Sequence, residues 1–214
     1  MARTRILVAD DHTMIRQGLI SILRGHAEFE VVGEAADGHE ALEKALESRP
    51  DVVVLDLSMP RLSGLEAARR IHKALPRTRI LVLTMHDDEE YVLRTVRAGA
   101  SGYVVKDTAA AELVAAIRAV SAGQGYFGPQ AAKALAASYE QGGAAADDPY
   151  ERLTAREREV FQLLIEGRTN AQVATILFIS PKTVDNHRTH LMARLGVHST
   201  AELIRFAARR GLLA

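Results

Sequence analysis

Across residues 1–122, short runs of β-branched and other apolar residues alternate with longer stretches in which apolar positions recur every three to four residues. Continuous apolar runs suit buried strands and the 3.6-residue period suits helices, so the alternation predicts a parallel sheet covered by helices. The strands fall at 5–9, 30–34, 52–55, 79–83 and 102–105. The first, third and fourth are continuous apolar runs, as burial on both faces requires. Helices are predicted at 13–24, 38–48, 64–74, 88–98 and 109–122, giving an α/β doubly wound (βα)5 domain. The alternation stops after Gly123, and 123–149 is read as a linker with a short helix at 129–139 and flexible composition at 141–149.

Residues 150–214 carry a purely helical pattern with explicit start signals at Thr154, Thr169/Asn170, Ser180-Pro181 and Ser199. The middle two helices, 170–177 and 181–195, are separated by three residues, which predicts an all-α four-helix helix-turn-helix domain.

Charge sharpens the division. The chain is neutral overall, but 150–214 holds 10 Lys+Arg against 6 Asp+Glu, leaving 17 against 21 before it. A basic C-terminal piece suits a polyanion and an acidic N-terminal piece suits a cation. The absence of cysteine excludes disulfides, thiolate catalysis and cysteine-held zinc. No apolar run reaches the roughly 20 residues of a membrane span, and the first residues lack a signal peptide's pattern, so a cytoplasmic protein is expected.

In a doubly wound sheet, functional groups gather beyond the carboxyl ends of the strands. Asp10 and Asp11 follow the first predicted strand, Asp56 the third, Thr84 the fourth and Lys106 the fifth. Three carboxylates in one crevice repel unless a cation neutralises them, and hard oxygen ligands select Mg²⁺ or Mn²⁺. A hydroxyl and an ammonium beside them could hold phosphoryl oxygens. The implied chemistry is phosphoryl transfer to a carboxylate, with Asp56 as the nucleophile. Singly, each residue has a structural reading, such as a carboxylate capping the next helix; together they occupy the ends of four strands of one sheet. No Gly-rich phosphate loop follows any strand, which disfavours nucleotide binding.

The motifs Val8-Ala-Asp-Asp-His12, Val54-Leu-Asp-Leu-Ser-Met-Pro60 with Gly64, Leu83-Thr84 and Gly99-Ala-Ser-Gly-Tyr-Val-Val-Lys-Asp107 resemble the receiver domain of response regulators over residues 4–122. The resemblance implies Asp56 as phosphoacceptor and Asp10, Asp11, Asp56 and the Ser58 carbonyl as the metal set. It also implies Thr84 and Lys106 against the phosphoryl group and Tyr103 as a switch residue that turns inward. A sensor histidine kinase would be the donor. By residue type alone, Tyr103 is equally a fixed aromatic at the edge of the core.

On the second helix of the pair, Val184, Leu191 and Leu195 form an inward stripe and leave Lys182, Thr183, Asp185, Asn186, Arg188 and Thr189 largely off it. Cations for phosphate and short polar groups for base edges suit a helix in the major groove. Leu153-Thr-Ala-Arg-Glu-Arg-Glu-Val160, Ile179-Ser-Pro-Lys-Thr-Val184 and Arg194-Leu-Gly-Val197 resemble the LuxR-type helix-turn-helix, and the whole chain resembles the NarL/FixJ response regulators. That resemblance offers Asp185, Asn186 and Thr189 to bases, and Lys182, Thr183, Arg188 and Arg194 to phosphates. It implies a transcriptional regulator of a two-component system that is not an enzyme, binds double-stranded DNA, and forms a homodimer when phosphorylated or DNA-bound. The last helix, with Leu203, Ile204 and Ala207 on one side, serves either that dimer or its own domain. Two alternatives use the same residues: a metal-dependent phosphohydrolase, and a DNA-binding regulator independent of phosphorylation.

Overall fold

The computed structural model describes residues 3–85, 89–106, 110–128, 132–133, 136, 149–150, 152–210 and 212, with the backbone alone at 89–91. The chain divides into two compact units, 1–142 and 143–214.

The first unit contains β1 (Thr4–Ala9), α1 (Thr13–Arg24), β2 (Phe29–Ala35), α2 (Gly38–Ser48), β3 (Val52–Asp56), α3 (Gly64–Ala74), β4 (Arg79–Thr84), α4 (Glu89–Arg97), β5 (Gly102–Val105), α5 (Ala110–Ser121) and β6 (Tyr126–Phe127). All strands pair in parallel in the order β2-β1-β3-β4-β5-β6. The alternation of side chains along a strand divides the core in two. Leu7, Val53, Leu55, Ile80 and Val82 face Ala41, Ala45, Ala67, Ala68 and Ile71 of α2 and α3, whereas Ile6, Val8, Val52, Val54 and Leu81 face Ile20, Leu23, Leu113 and Ile117 of α1 and α5.

Five of the strands lie where the apolar pattern places them. The sixth, at 126–127, pairs Tyr126 with Gly102 and Tyr103 with Phe127. Two residues are too few to show a period, so its signal is its pairing with β5. Most of the expected helix at 129–139 and of the segment 141–149 lies outside the described residues.

The second unit contains α6 (Ala155–Ile165), α7 (Asn170–Leu177), α8 (Pro181–Leu195) and α9 (Thr200–Arg209). Thr154 and Thr169 close capping boxes with Glu157 and Gln172, while Ser180 and Ser199 accept from the N–H groups of Thr183 and Glu202. Gly196 ends α8 at φ 65, a left-handed conformation that glycine adopts without steric cost. Phe161 anchors the core, edge-on to Tyr150 at 5.2 Å and to Phe206 at 6.2 Å, each contact adding about 0.5–1.5 kcal/mol beyond burial. Leu203 and Ala207 of α9 are buried in this same core, so only Ile204 of the three apolar residues faces outward.

Candidate functional site

The strand order reverses around β1, and the acidic residues meet at the carboxyl ends of β1 and β3. Asp10 and Asp56 are buried, with 0% and 2% of their surface exposed. Asp10 Oδ1 accepts from the His12 backbone N–H at 2.8 Å, and Asp56 Oδ1 from that of Ser58 at 3.3 Å. Lys106 follows β5, held in register by its N–H donating to the Thr84 carbonyl at 2.7 Å. Its Nζ lies 2.7 Å from Asp56 Oδ2 and 2.8 Å from Asp10 Oδ2. One carboxylate therefore reaches across the sheet to the other through a single ammonium.

Burial pushes the Asp56 carboxyl above its usual range, and the charge on Asp10 adds to the rise while Lys106 opposes it. Burial alone would lower Lys106, but its hydrogen bonds to Asp10 and Asp56 outweigh that and hold it above its usual value.

The donor set fits a hard divalent cation. One ligand atom from each of Asp10, Asp11, His12 and Asp56 lies within 4.8 Å of the others. Asp11 Oδ1 is buried without a hydrogen-bond partner, and Asp10 and Asp56 share the Lys106 ammonium, so carboxylate charge is left unmatched. Ser58 is half-buried in the loop after β3, in reach of the same end of the sheet.

Gly64 explains how that loop lies so close to Asp56. A Cβ there would strike the Asp56 carbonyl oxygen and sit 2.8 Å from both the Asp56 carbonyl carbon and the Leu57 Cα. Only a residue without a side chain lets α3 start against the strand end. Thr84 is buried at the end of β4, and Tyr103 points inward from β5, 4% exposed within the core shared with α2 and α3. His12 enters the site as a participant that the charge pattern alone did not single out; its signal was its position directly after the acidic pair.

In the second unit, Lys182, Asp185, Asn186 and Thr189 are exposed along one face of α8, opposite buried Val184, Leu191 and Leu195. Thr183 is half-buried, its Oγ1 2.8 Å from Ser180 Oγ at the helix start. Arg188 is held inside the domain: Nη1 donates to Asn170 Oδ1 at 3.3 Å and Nη2 to Thr200 Oγ1 at 2.9 Å. Asn170 in turn donates to Asp185 Oδ1 at 3.4 Å, so a polar chain links the starts of α7 and α9 to the exposed face of α8. Arg194 sits at the other end of α8, where Nη1 donates to Glu157 Oε2 and the Arg152 carbonyl, each at 2.9 Å. The exposed set thus gathers near the start of α8, while Arg188 and Arg194 brace it from behind and from its far end.

Residues 6–118 match the response regulator receiver domain, and residues 151–207 match the bacterial regulatory proteins of the luxR family. The chain is similar to the oxygen regulatory protein NreC of Staphylococcus carnosus, 40% identical over 214 residues that cover 98% of this chain and 99% of the relative. Among solved structures it is similar to a LuxR-family two-component response regulator from Aurantimonas sp. SI85-9A1, at 40% identity, TM-score 0.60, 65% of this chain and 99% of that one. It is also similar to RcsB, solved as two dimers bound to two parallel DNAs, at 26% identity, TM-score 0.57, 96% of this chain and 98% of that one.

Proposed function

The chain belongs to the NarL/FixJ family of two-component response regulators, DNA-binding transcriptional regulators that join a receiver to a LuxR-type helix-turn-helix, and on that premise we propose that Asp56 is its phosphoacceptor and the exposed start of α8 its DNA-reading surface. The observation that carries the proposal is the buried ammonium of Lys106 shared between Asp56 and Asp10.

An Asp56 carboxylate oxygen attacks the phosphorus of a phosphohistidine on the partner kinase. The new O–P bond forms as the P–N bond breaks, and the imidazole leaves with the bonding pair. Asp10, Asp11, Asp56 and the Ser58 carbonyl would hold Mg²⁺ or Mn²⁺. The cation supplies neutralisation of charge between the carboxylate nucleophile and the phosphoryl oxygens. Lys106 turns from the carboxylates to a phosphoryl oxygen, and the Thr84 hydroxyl donates to another. Tyr103, 4% exposed in its inward position, serves as the switch residue. The chain is a stoichiometric acceptor rather than an enzyme acting on a separate substrate.

At the other end, Asp185, Asn186 and Thr189 face the bases, with Lys182 and Thr183 on the phosphates. Arg188 and Arg194 add phosphate contacts from groups already braced within the domain. Phosphorylation favours a homodimer on paired half-sites. Among the described residues no helix is long and apolar enough to cross a membrane, and binding to DNA supports a cytoplasmic location.

Intact mass after incubation with acetyl phosphate tests the acceptor. A single phosphoryl addition, dependent on Mg²⁺ and absent in Asp56→Asn, is expected. Addition that persists in Asp56→Asn would move the site elsewhere.

A further inference from the structure

His12 occupies the N-cap of α1 with extended backbone, φ −81 and ψ 105. At this position Ser, Thr, Asp or Asn usually turns an oxygen onto the first free N–H groups of the helix. The His12 side chain makes no such bond. Its Nδ1 is turned instead onto the acidic pocket, 2.8 Å from Asp11 Oδ1 and 3.5 Å from Asp10 Oδ1. The short approach to Asp11 is not aligned as a hydrogen bond, for Asp11 Oδ1 is buried and has no hydrogen-bond partner. A nitrogen and a carboxylate oxygen that approach to 2.8 Å without an aligned hydrogen bond have the spacing of two ligands on one cation. The Asp10 and Asp56 carboxylates lie within the same 4.8 Å.

We propose that His12 Nδ1 is a nitrogen ligand to the cation of this pocket, and that it shifts the pocket's preference from Mg²⁺ toward Mn²⁺ and the later first-row ions. The proposal rests on the reading that the carboxylates hold a divalent cation. Mg²⁺ favours oxygen and keeps its water, whereas imidazole suits transition ions, whose affinities rise along the first row. Three carboxylates alone give an all-oxygen site. An imidazole on its solvent side, 63% exposed, supplies a donor that discriminates. A histidine that only steadied Asp11 would leave the choice of ion untouched.

The test uses the full chain loaded with Mn²⁺. Electron spin-echo modulation reads directly bound ¹⁴N, and calorimetry gives the affinities for Mn²⁺ and Mg²⁺. Wild type is expected to show imidazole nitrogen modulation. His12→Ala is expected to lose it, with Mn²⁺ affinity falling about tenfold or more and Mg²⁺ affinity falling far less. Mn²⁺ bound without nitrogen modulation, modulation that persists in His12→Ala, or equal losses for both ions would overturn the proposal while leaving the carboxylate site intact. An Asp11→Asn control separates the two levels: if wild type binds neither ion, or Asp11→Asn binds both as wild type does, the pocket is not the cation site and both readings fail.

Discussion

Replacing Lys106 with methionine keeps most of the side chain's bulk and removes the one ammonium that both buried carboxylates share. Asp10 and Asp56 then face each other with ligand oxygens within 4.8 Å. Two unit charges at that distance repel by about 3.5 kcal/mol at an effective dielectric of about 20. Removing one partner of a buried ion pair costs about 3–5 kcal/mol, in the same range. A protein of this length loses about 2–4 °C in Tm per kcal/mol, so a fall of roughly 6–20 °C is expected at pH 7 without divalent cations. Differential scanning calorimetry of the full chain in EDTA reads it. Repulsion raises the carboxyl pKa further, so a proton replaces the lost ammonium as pH falls, and the deficit should be smaller at pH 5 than at pH 7. A fall under about 2 °C at pH 7, or a deficit independent of pH, would refute the idea that Lys106 holds two ionised carboxylates together.

Asp56→Asn should act in the opposite direction. Burial raises the folded-state pKa of Asp56 above its unfolded value of 3.8, so ionising it costs stability as pH rises through that range, and the cost persists at higher pH. In EDTA the variant is expected to melt above wild type at pH 7, with the gap closing as pH falls toward 4; a lower Tm at pH 7 contradicts the assignment. Gly64→Ala drives a Cβ into the Asp56–Leu57 backbone. The shift should cost about 1–3 kcal/mol in stability and slow phosphorylation by acetyl phosphate on the order of 100-fold; an unchanged labelling rate counts against close positioning. Asp185→Ala removes a carboxylate that repels phosphate and accepts from cytosine N4. Selection from a random duplex pool should return relaxed sequence preference with tighter overall binding, and an unchanged consensus would exclude base reading by Asp185.

The strands that bury both faces announce themselves, since Ile6–Val8 and Val52–Leu55 are apolar without interruption. The ends of those strands then locate Asp10, Asp56, Thr84 and Lys106, because chain order and sheet topology are linked by short connections. Side-chain ties between distant segments are a different matter. Arg194 reads as a phosphate-binding cation from its place on α8, yet its Nη1 is taken up by Glu157, 37 residues earlier. The brace from Arg188 to Thr200 likewise depends on how α8 and α9 cross, which no local period encodes. His12 stands directly after the acidic pair in the sequence, but only the turn of its ring onto Asp11 sets it apart.

Phosphorylation at Asp56 is expected to control DNA binding by α8. The direct measurement is the affinity of the full chain for a duplex enriched from a random pool, before and after acetyl phosphate treatment, with Asp56→Asn alongside. Tighter binding after treatment, absent in Asp56→Asn and lost in Lys182→Ala, is the predicted result. Equal affinity of the phosphorylated and unmodified forms would contradict it.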